Sequence, residues 1–275
     1  MSYPEGKVVA TIPWHTPGDS ICSDTEGNVF LPQGSGSSDS HVYEYAHGST
    51  TPIATLDLPT GYVEPDGCAV DPLTGNLAVN AEYGPQNHGA LLVYPNEKGP
   101  AAVYTDKKVR FFKYPAYDGS GNLYSMAESE RPRYRLIELP FGKHDYKFLT
   151  FTNCDCTPSK MEWDGTYLTY EDTGSNGGGL FIDQIEVSGK AATLVGSTQF
   201  LDGSTTNLYG FVIQDGLLFA KLQKVLQNNN QGVGVWSYAS GGNPIAKFHG
   251  FTKGRKDFLA DLTVSVAPSA THIRK

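Results

Sequence analysis

Short apolar runs closing on an aspartate recur along the chain, each followed by a glycine-bearing turn and a second apolar run. The pattern first reads Ser20-Ile21-Cys22-Ser23-Asp24, then Gly27-Asn28, then Val29-Phe30-Leu31. It returns as Gly67-Cys68-Ala69-Val70-Asp71 with Gly75-Asn76 and Leu77-Ala78-Val79. A third copy is Tyr114-Pro115-Ala116-Tyr117-Asp118 with Gly121-Asn122 and Leu123-Tyr124. Lys160-Met161-Glu162-Trp163-Asp164 shortens the turn before Leu168, and Gly210–Phe219 keeps the pattern loosely. Runs this short, bounded by Gly, Asn and Asp, predict strands joined by tight turns rather than helices. A polar loop and a third apolar run follow each copy: Val42–Tyr45, Leu91–Tyr94, Leu136–Leu139, Ile182–Val187 and Val233–Tyr238. Turns such as His47-Gly48 and Ser188-Gly189 then lead into a fourth.

Four antiparallel strands per unit, at a spacing near 47 residues, are the signature of β-propeller blades. A β-sandwich, the competing arrangement, does not require units of such regular length. Five units run from about residue 14 to 253, leaving Lys7–Ile12 and Phe258–Val266 at the two ends. Sharing one blade between the termini closes the ring and covers two sheet edges that would otherwise invite aggregation. The expectation is an all-β, single-domain, six-bladed propeller over residues 1–275. Lys7–Ile12 is its expected outer closing strand and Phe258–Val266 the innermost one.

Composition adds limits. The 31 Gly, 17 Pro and 16 Tyr agree with many short strands, and 39% hydrophobic residues supply a core. No apolar run approaches the roughly 18 residues that span a bilayer, so no membrane partner is expected. The net charge of −8, with no long basic run, argues against nucleic acid. Met1–Gly6 holds no apolar signal core and reads as the middle of a hairpin. That suits a secreted or periplasmic protein whose export signal has been removed. A small-molecule or sugar ligand and a monomeric state are expected.

Pro65-Asp66-Gly67-Cys68-Ala69-Val70-Asp71-Pro72-Leu73-Thr74-Gly75-Asn76-Leu77 resembles the inner-strand motif of the NHL-repeat and gluconolactonase-like propellers. The likeness covers the whole repeat architecture through motifs generic to the superfamily, so it bears on fold more than on activity. In such propellers the innermost strands start at the face that carries the site, and the loops between second and third strands return to it. Counting five residues back from each repeat aspartate puts Asp19, Asp66, Lys113, Ser159 and Tyr209 at those starts. The first three stand 47 residues apart, and Ala260 takes the place in the last blade.

The loops Gln33–Ser40, Asn80–Gly89, Glu128–Arg135, Glu171–Gly179 and Lys221–Gly232 are long and polar, as functional loops are. They offer Asn80, Glu82, Glu128, Glu171, Asp172 and Lys221 at or near strand ends, while His15 is the histidine nearest a strand start. Plainer roles account for other residues. Asp24, Asp71, Asp118 and Asp164 are turn formers, and Asp66 is equally suited to capping backbone amides between blades. Arg131, Arg133 and Arg135 alternate as a solvated strand face does. Trp14, Trp163 and Trp236 suit packing between blades.

The resemblance implies a hydrolase acting on a lactone or sugar derivative at the channel mouth. It also implies a calcium or magnesium ion held by Asp66, Asp19 and the neutral oxygen of Asn80, which would activate water and polarise a carbonyl. The family's glutamate has no clear counterpart, and Lys113 is a cation where a metal would stand. A metal-free reading uses the same ring: Lys113 steadies a developing oxyanion while Glu162, Asp66 or Asp19 moves a proton, in a lyase or glycoside hydrolase. Tyr209 completes that catalytic set, with His15, Asn80, Glu128, Glu171 and Lys221 as substrate contacts. No Gly-x-Ser-x-Gly elbow points to a serine hydrolase. The remaining alternative is a non-catalytic extracellular scaffold.

Four cysteines occur, and Cys154-Asp155-Cys156 is not a zinc spacing. Aligned on Asp24 and Asp71, Cys22 and Cys68 differ by one residue in register on neighbouring innermost strands. They therefore face opposite sides of their sheets. Both then enter the one interface between the blades, where a disulfide can form, or both leave it.

Overall fold

The computed structural model describes residues 1–12, 20–34, 40–129, 134–154, 159–172, 180–201, 210–222, 232–249 and 261–267. Among them are twenty strands, two single-turn 3-10 segments and no α-helix. The chain divides into two compact units, Met1–Lys113 with Thr263–Lys275, and Tyr114–Leu262.

The first unit holds two four-stranded antiparallel sheets in chain order. One is β1 (Cys22–Ser23), β2 (Val29–Gln33), β3 (His41–Tyr45) and β4 (Pro52–Asp57). The other is β5 (Val63–Val70), β6 (Leu77–Tyr83), β7 (Ala90–Tyr94) and β8 (Ala102–Tyr104). They share a core in which Phe30, Val42 and Leu56 meet Leu77, Val79 and Leu92.

Strand β9 (Val109–Tyr117) leads into the second unit and begins a third sheet with β10 (Leu123–Ser129), β11 (Tyr134–Leu139) and β12 (Lys147–Thr152). A fourth comprises β13 (Met161–Trp163), β14 (Leu168–Asp172), β15 (Leu180–Ser188) and β16 (Ala191–Phe200). The fifth is β17 (Phe211–Gln214), β18 (Leu217–Leu222), β19 (Gly232–Ser237) and β20 (Ala246–His249). The five units are the five that the repeat predicts. Their burial follows position: β7 is buried along its whole length, whereas β20 alternates half-buried with exposed residues.

The repeat aspartates act as turn formers. Asp24 accepts hydrogen bonds from the Glu26 and Asn28 amides and from Asn28 Nδ2, at 2.7–2.9 Å. Asp118 repeats the arrangement with Ser120 and Asn122. Asp71 and Asp164 likewise accept backbone amides of the following turn. A carboxylate two to four residues ahead of unpaired amides satisfies donors that the turn would otherwise leave open. Of the tryptophans, Trp236 is fully buried and donates to the Leu201 carbonyl at 2.9 Å, and Trp163 packs at the edge of its unit's core. Trp14 lies outside the described residues.

Two features depart from expectation. The outer strands β12 and β16 pair in parallel, Thr150 opposite Ala191 and Thr152 opposite Thr193, merging the third and fourth sheets into one of eight strands. Each edge thereby covers the other. The second departure concerns the closing blade. Lys7–Ile12 forms no strand and is almost wholly exposed, because no described neighbour offers it a ladder. At the other end, residues 258–260 lie outside the described residues, and residues 261–267 run on without strand pairing. Side-chain bonds hold part of that segment in the first unit: Ser23 Oγ donates to the Val264 carbonyl at 2.8 Å, and Ser265 Oγ donates to the Gly27 carbonyl.

Cys22 and Cys68 are joined by a disulfide with their Cα atoms 5.7 Å apart, in the core shared by the first two sheets. Cys154 is disulfide-bonded too.

Candidate functional site

The sequence-selected residues fall in different places. In the first unit, Asp66 sits mid-strand in β5, not at its start, because β5 already begins at Val63. Pro65 opposes Ala81 while Gly67 opposes Asn80, so Asp66 is the extra residue of a β-bulge, a device that re-aims a side chain. Asn80 is buried, and its Oδ1 has no hydrogen-bond partner. Lys113 is likewise interior to its strand, β9, with Nζ 5.7 Å from the Phe111 ring centroid. Asp19, His15 and Tyr209 lie outside the described residues.

The second unit gathers a denser set. Lys160 immediately precedes β13; its ammonium donates to Asp261 Oδ1 at 2.7 Å and to the Leu262 carbonyl at 3.1 Å, and forms an ion pair with Glu162 Oε1 at 3.6 Å. Burial works against this ammonium, yet Asp261 and Glu162 outweigh it and hold its pKa above the usual lysine value. Residues 160 and 162 share a strand face, which is why both reach the same space.

Glu171, the fourth residue of β14, sits beside this pair. It is 2% exposed. Its Oε2 accepts from the Gly210 amide at 3.3 Å and from Ser159 Oγ at 3.4 Å. Burial pushes its carboxyl up to about 7, against the lowering effect of those two donors and of Lys160 and Lys221. Lys221, on β18, is itself buried. Gly210 has φ +89°, and a Cβ there would lie 2.6 Å from Asp261 Oδ1, so only glycine fits between the two carboxylates.

Glu162 differs from Glu171 in access. Burial likewise pushes it to about 7, opposed by Lys160 and assisted by Asp261, while its side chain stays 28% exposed. A carboxyl that is half protonated near neutrality and open to solvent can both give and take a proton.

Glu162, Glu171, Lys221 and the counted strand start Ser159 are thus joined by Lys160, Asp261 and Gly210, which no motif in the sequence marks out. Ala260, the counted start in the last blade, lies outside the described residues. Glu128, the penultimate residue of β10, opposes Tyr134 on β11. Among the described residues, no three acidic, histidine or cysteine side chains are gathered as metal ligands.

No protein-family model and no curated protein sequence matches the chain. Solved structures do. A chain of the nidogen/laminin complex is 15% identical over 84% of this chain and 79% of its own, with a TM-score of 0.56. A TolB-type structure from Agrobacterium tumefaciens is 10% identical, covering 84% and 81%, at 0.58. TolB from Acinetobacter baumannii is 9% identical over 81% of this chain, which spans about half, 52%, of that protein, at 0.56. At such identities the likeness speaks to fold alone. With the repeated four-stranded antiparallel sheets, it makes the architecture a β-propeller.

Proposed function

We propose that the chain is a hydrolase of a small polar molecule, a lactone or sugar derivative, working by metal-free proton transfer in the Lys160–Glu162–Glu171–Asp261 cluster. The observation that carries this reading is Glu162, a carboxyl pushed to about 7 yet 28% exposed, beside a lysine held by Asp261 and the Leu262 carbonyl. In the proposed step Glu162 takes a proton from water as the water oxygen attacks the carbonyl or anomeric carbon. The carbon–oxygen bond then breaks and the same proton goes to the leaving oxygen. Lys160 orients Glu162, and Glu171 with Lys221 lines the polar floor.

A panel of lactones and glycosides tests this, with Glu162→Gln as the comparison. Turnover by the wild-type chain that falls roughly 10²–10⁴-fold in the variant supports it. Ligand binding without turnover by the wild type favours the scaffold reading instead.

A second reading rests on the buried, unpartnered Oδ1 of Asn80. It is a hard neutral oxygen one strand from the bulged Asp66, and the two would hold the calcium or magnesium ion that the gluconolactonase-like resemblance implies. Such an ion supplies an activated water. Loss of calcium-dependent turnover in Asp66→Ala, with Glu162→Gln unaffected, would favour this reading.

We further infer a sixth blade closed by the C-terminal segment, supported by the bonds from Ser23 and Ser265. An extracellular or periplasmic location is supported by the Cys22–Cys68 disulfide.

A further inference from the structure

In the first unit, one row of polar side chains crosses the first sheet from strand to strand. Gln33 on β2 stands opposite His41 on β3, and His41 stands opposite Asp57 on β4. Directly opposed residues point to the same face of a sheet, with their Cβ atoms roughly 4.5–5.5 Å apart. The adjoining row, Pro32–Val42–Leu56, belongs to the opposite face, where Val42 and Leu56 enter the core shared with the second sheet. Gln33, His41 and Asp57 therefore lie together on the other face. Leu31, Tyr43 and Thr55 form the next row on that face, and the Tyr43 ring centroid stands 5.9 Å from that of His41.

The three members suit different tasks. His41 Nδ1 lies 2.9 Å from Asp57 Oδ1. A carboxylate accepts hydrogen bonds, so it keeps the proton of the neutral ring on Nδ1 and leaves Nε2 with its lone pair. The His41 side chain is 29% exposed, which opens the ring to a ligand. Gln33 is the contrary case. It is 3% exposed, and its Nε2 has no hydrogen-bond partner. A buried donor left unpaired destabilises a fold, and a ligand oxygen placed against it would satisfy it. Gln33 opens the first of the long polar loops singled out in the sequence, and His41 follows that loop's last residue, Ser40. Ser40 Oγ accepts from the Glu64 amide at 3.1 Å, which fixes the start of β3 against β5.

We propose that Gln33, His41 and Asp57 form a hydrolytic site of their own, one that cleaves small carboxylic esters. His41 Nε2 takes a proton from water as the water oxygen attacks the acyl carbon. The carbonyl oxygen gains the negative charge, and Gln33 Nε2–H donates a hydrogen bond to it. The tetrahedral intermediate then collapses. The bond from the acyl carbon to the alcohol oxygen breaks, and the imidazolium returns its proton to that oxygen. The products are a carboxylic acid and an alcohol. Asp57 is a positioning residue, because it holds His41 in the tautomer that a base requires. Leu31 and Tyr43, on the adjoining row, give the acyl group an apolar wall. The site uses no residue of the Lys160 cluster, so it stands or falls separately from that reading.

The test is hydrolysis of p-nitrophenyl acetate by the intact chain, followed by release of nitrophenolate. Wild type is compared with His41→Gln, Gln33→Leu, Asp57→Asn and Asp57→Glu, and with His88→Gln as a measure of what an unrelated imidazole contributes. His41→Gln and Gln33→Leu are each expected to lower kcat/KM roughly 10²-fold, while His88→Gln keeps the wild-type rate. Asp57→Asn should lower kcat with little change in KM, and Asp57→Glu should restore part of it. Gln33→Leu should unfold at the wild-type Tm or above it, because it removes an unpaired buried donor. A fall in both rate and Tm in that variant is the mark of a merely structural role and overturns the proposal. So do equal rates in His41→Gln and His88→Gln, and so does a Gln33→Leu variant as active as wild type. Should Gln33→Leu not fold, Gln33→Met is read in its place.

Discussion

Two clusters in this chain bring a glutamate to about 7, and they do so by opposite constructions. In the second unit Glu162 and Glu171 are raised by burial while lysines pull them back. In the first, Glu97 is raised by burial and then by neighbouring carboxylates. A titration midpoint alone would not tell them apart. Mutation does, because removing a charge from a cluster of paired opposite charges leaves an orphan, whereas removing one from among like charges relieves repulsion.

The largest expected effect is Lys160→Met. It strips the cation from Asp261 and Glu162 and leaves two carboxylates facing each other in a mostly buried space. A loss of about 3 kcal/mol is expected from urea unfolding, the low end for breaking a buried pair, since Lys160 retains 16% exposure. Adding Asp261→Asn should recover part of it. A loss below about 1 kcal/mol would mean that the pair behaves like a surface ion pair.

Among the described residues of the first unit, the corresponding tie is covalent. Replacing Cys22 and Cys68 together by serine should lower stability by about 2–4 kcal/mol, read from unfolding under non-reducing conditions. An unchanged midpoint would show that the shared apolar core is sufficient on its own.

Gly210→Ala comes next. The residue sits at φ +89° and its missing Cβ makes room for Asp261. Strain of about 1–3 kcal/mol is expected. The Glu171 carboxyl also loses its backbone donor if the amide shifts, so its titration moves upward, observable by carboxyl infrared bands.

How much of this was legible in sequence follows from the range of the interactions involved. The repeat and its turn aspartates were readable because Asp24, Asp71, Asp118 and Asp164 bond within four residues of themselves. Register on adjacent strands leaves Cys22 and Cys68 either bridged or both turned away, and the structure shows the bridge. The Lys160 clasp is not legible in this way, since Asp261 is 101 residues away and no local pattern marks the pair. The closing strand at Lys7–Ile12 failed for a related reason. An alternating apolar run signals a capacity to pair, not the presence of a partner. The burial of Glu44 is not legible either, because a glutamate in a Tyr-Glu-Tyr strand reads as solvent-facing and only packing against a second sheet buries it.

The smallest effect is the most diagnostic of the comparison. Glu97→Gln removes the glutamate whose folded pKa lies near 7 against an ordinary 4.5. Between those values the folded protein binds more protons than the unfolded chain, so stability falls as pH rises through the window, and the deficit is complete above 7. In metal-free buffer at pH 8 the variant should therefore be more stable than wild type. Exposure and screening reduce the gain to about 1 kcal/mol. At pH 4 both chains carry a neutral group there, and the advantage should vanish. Glu171→Gln in the second unit should show no such simple gain, because it leaves Lys221 and Lys160 with one fewer counter-charge. Chemical unfolding of both variants at pH 4, 6 and 8 measures the contrast. Equal gains in the two units would mean that the lysines do not compensate, and the distinction between the clusters would fail.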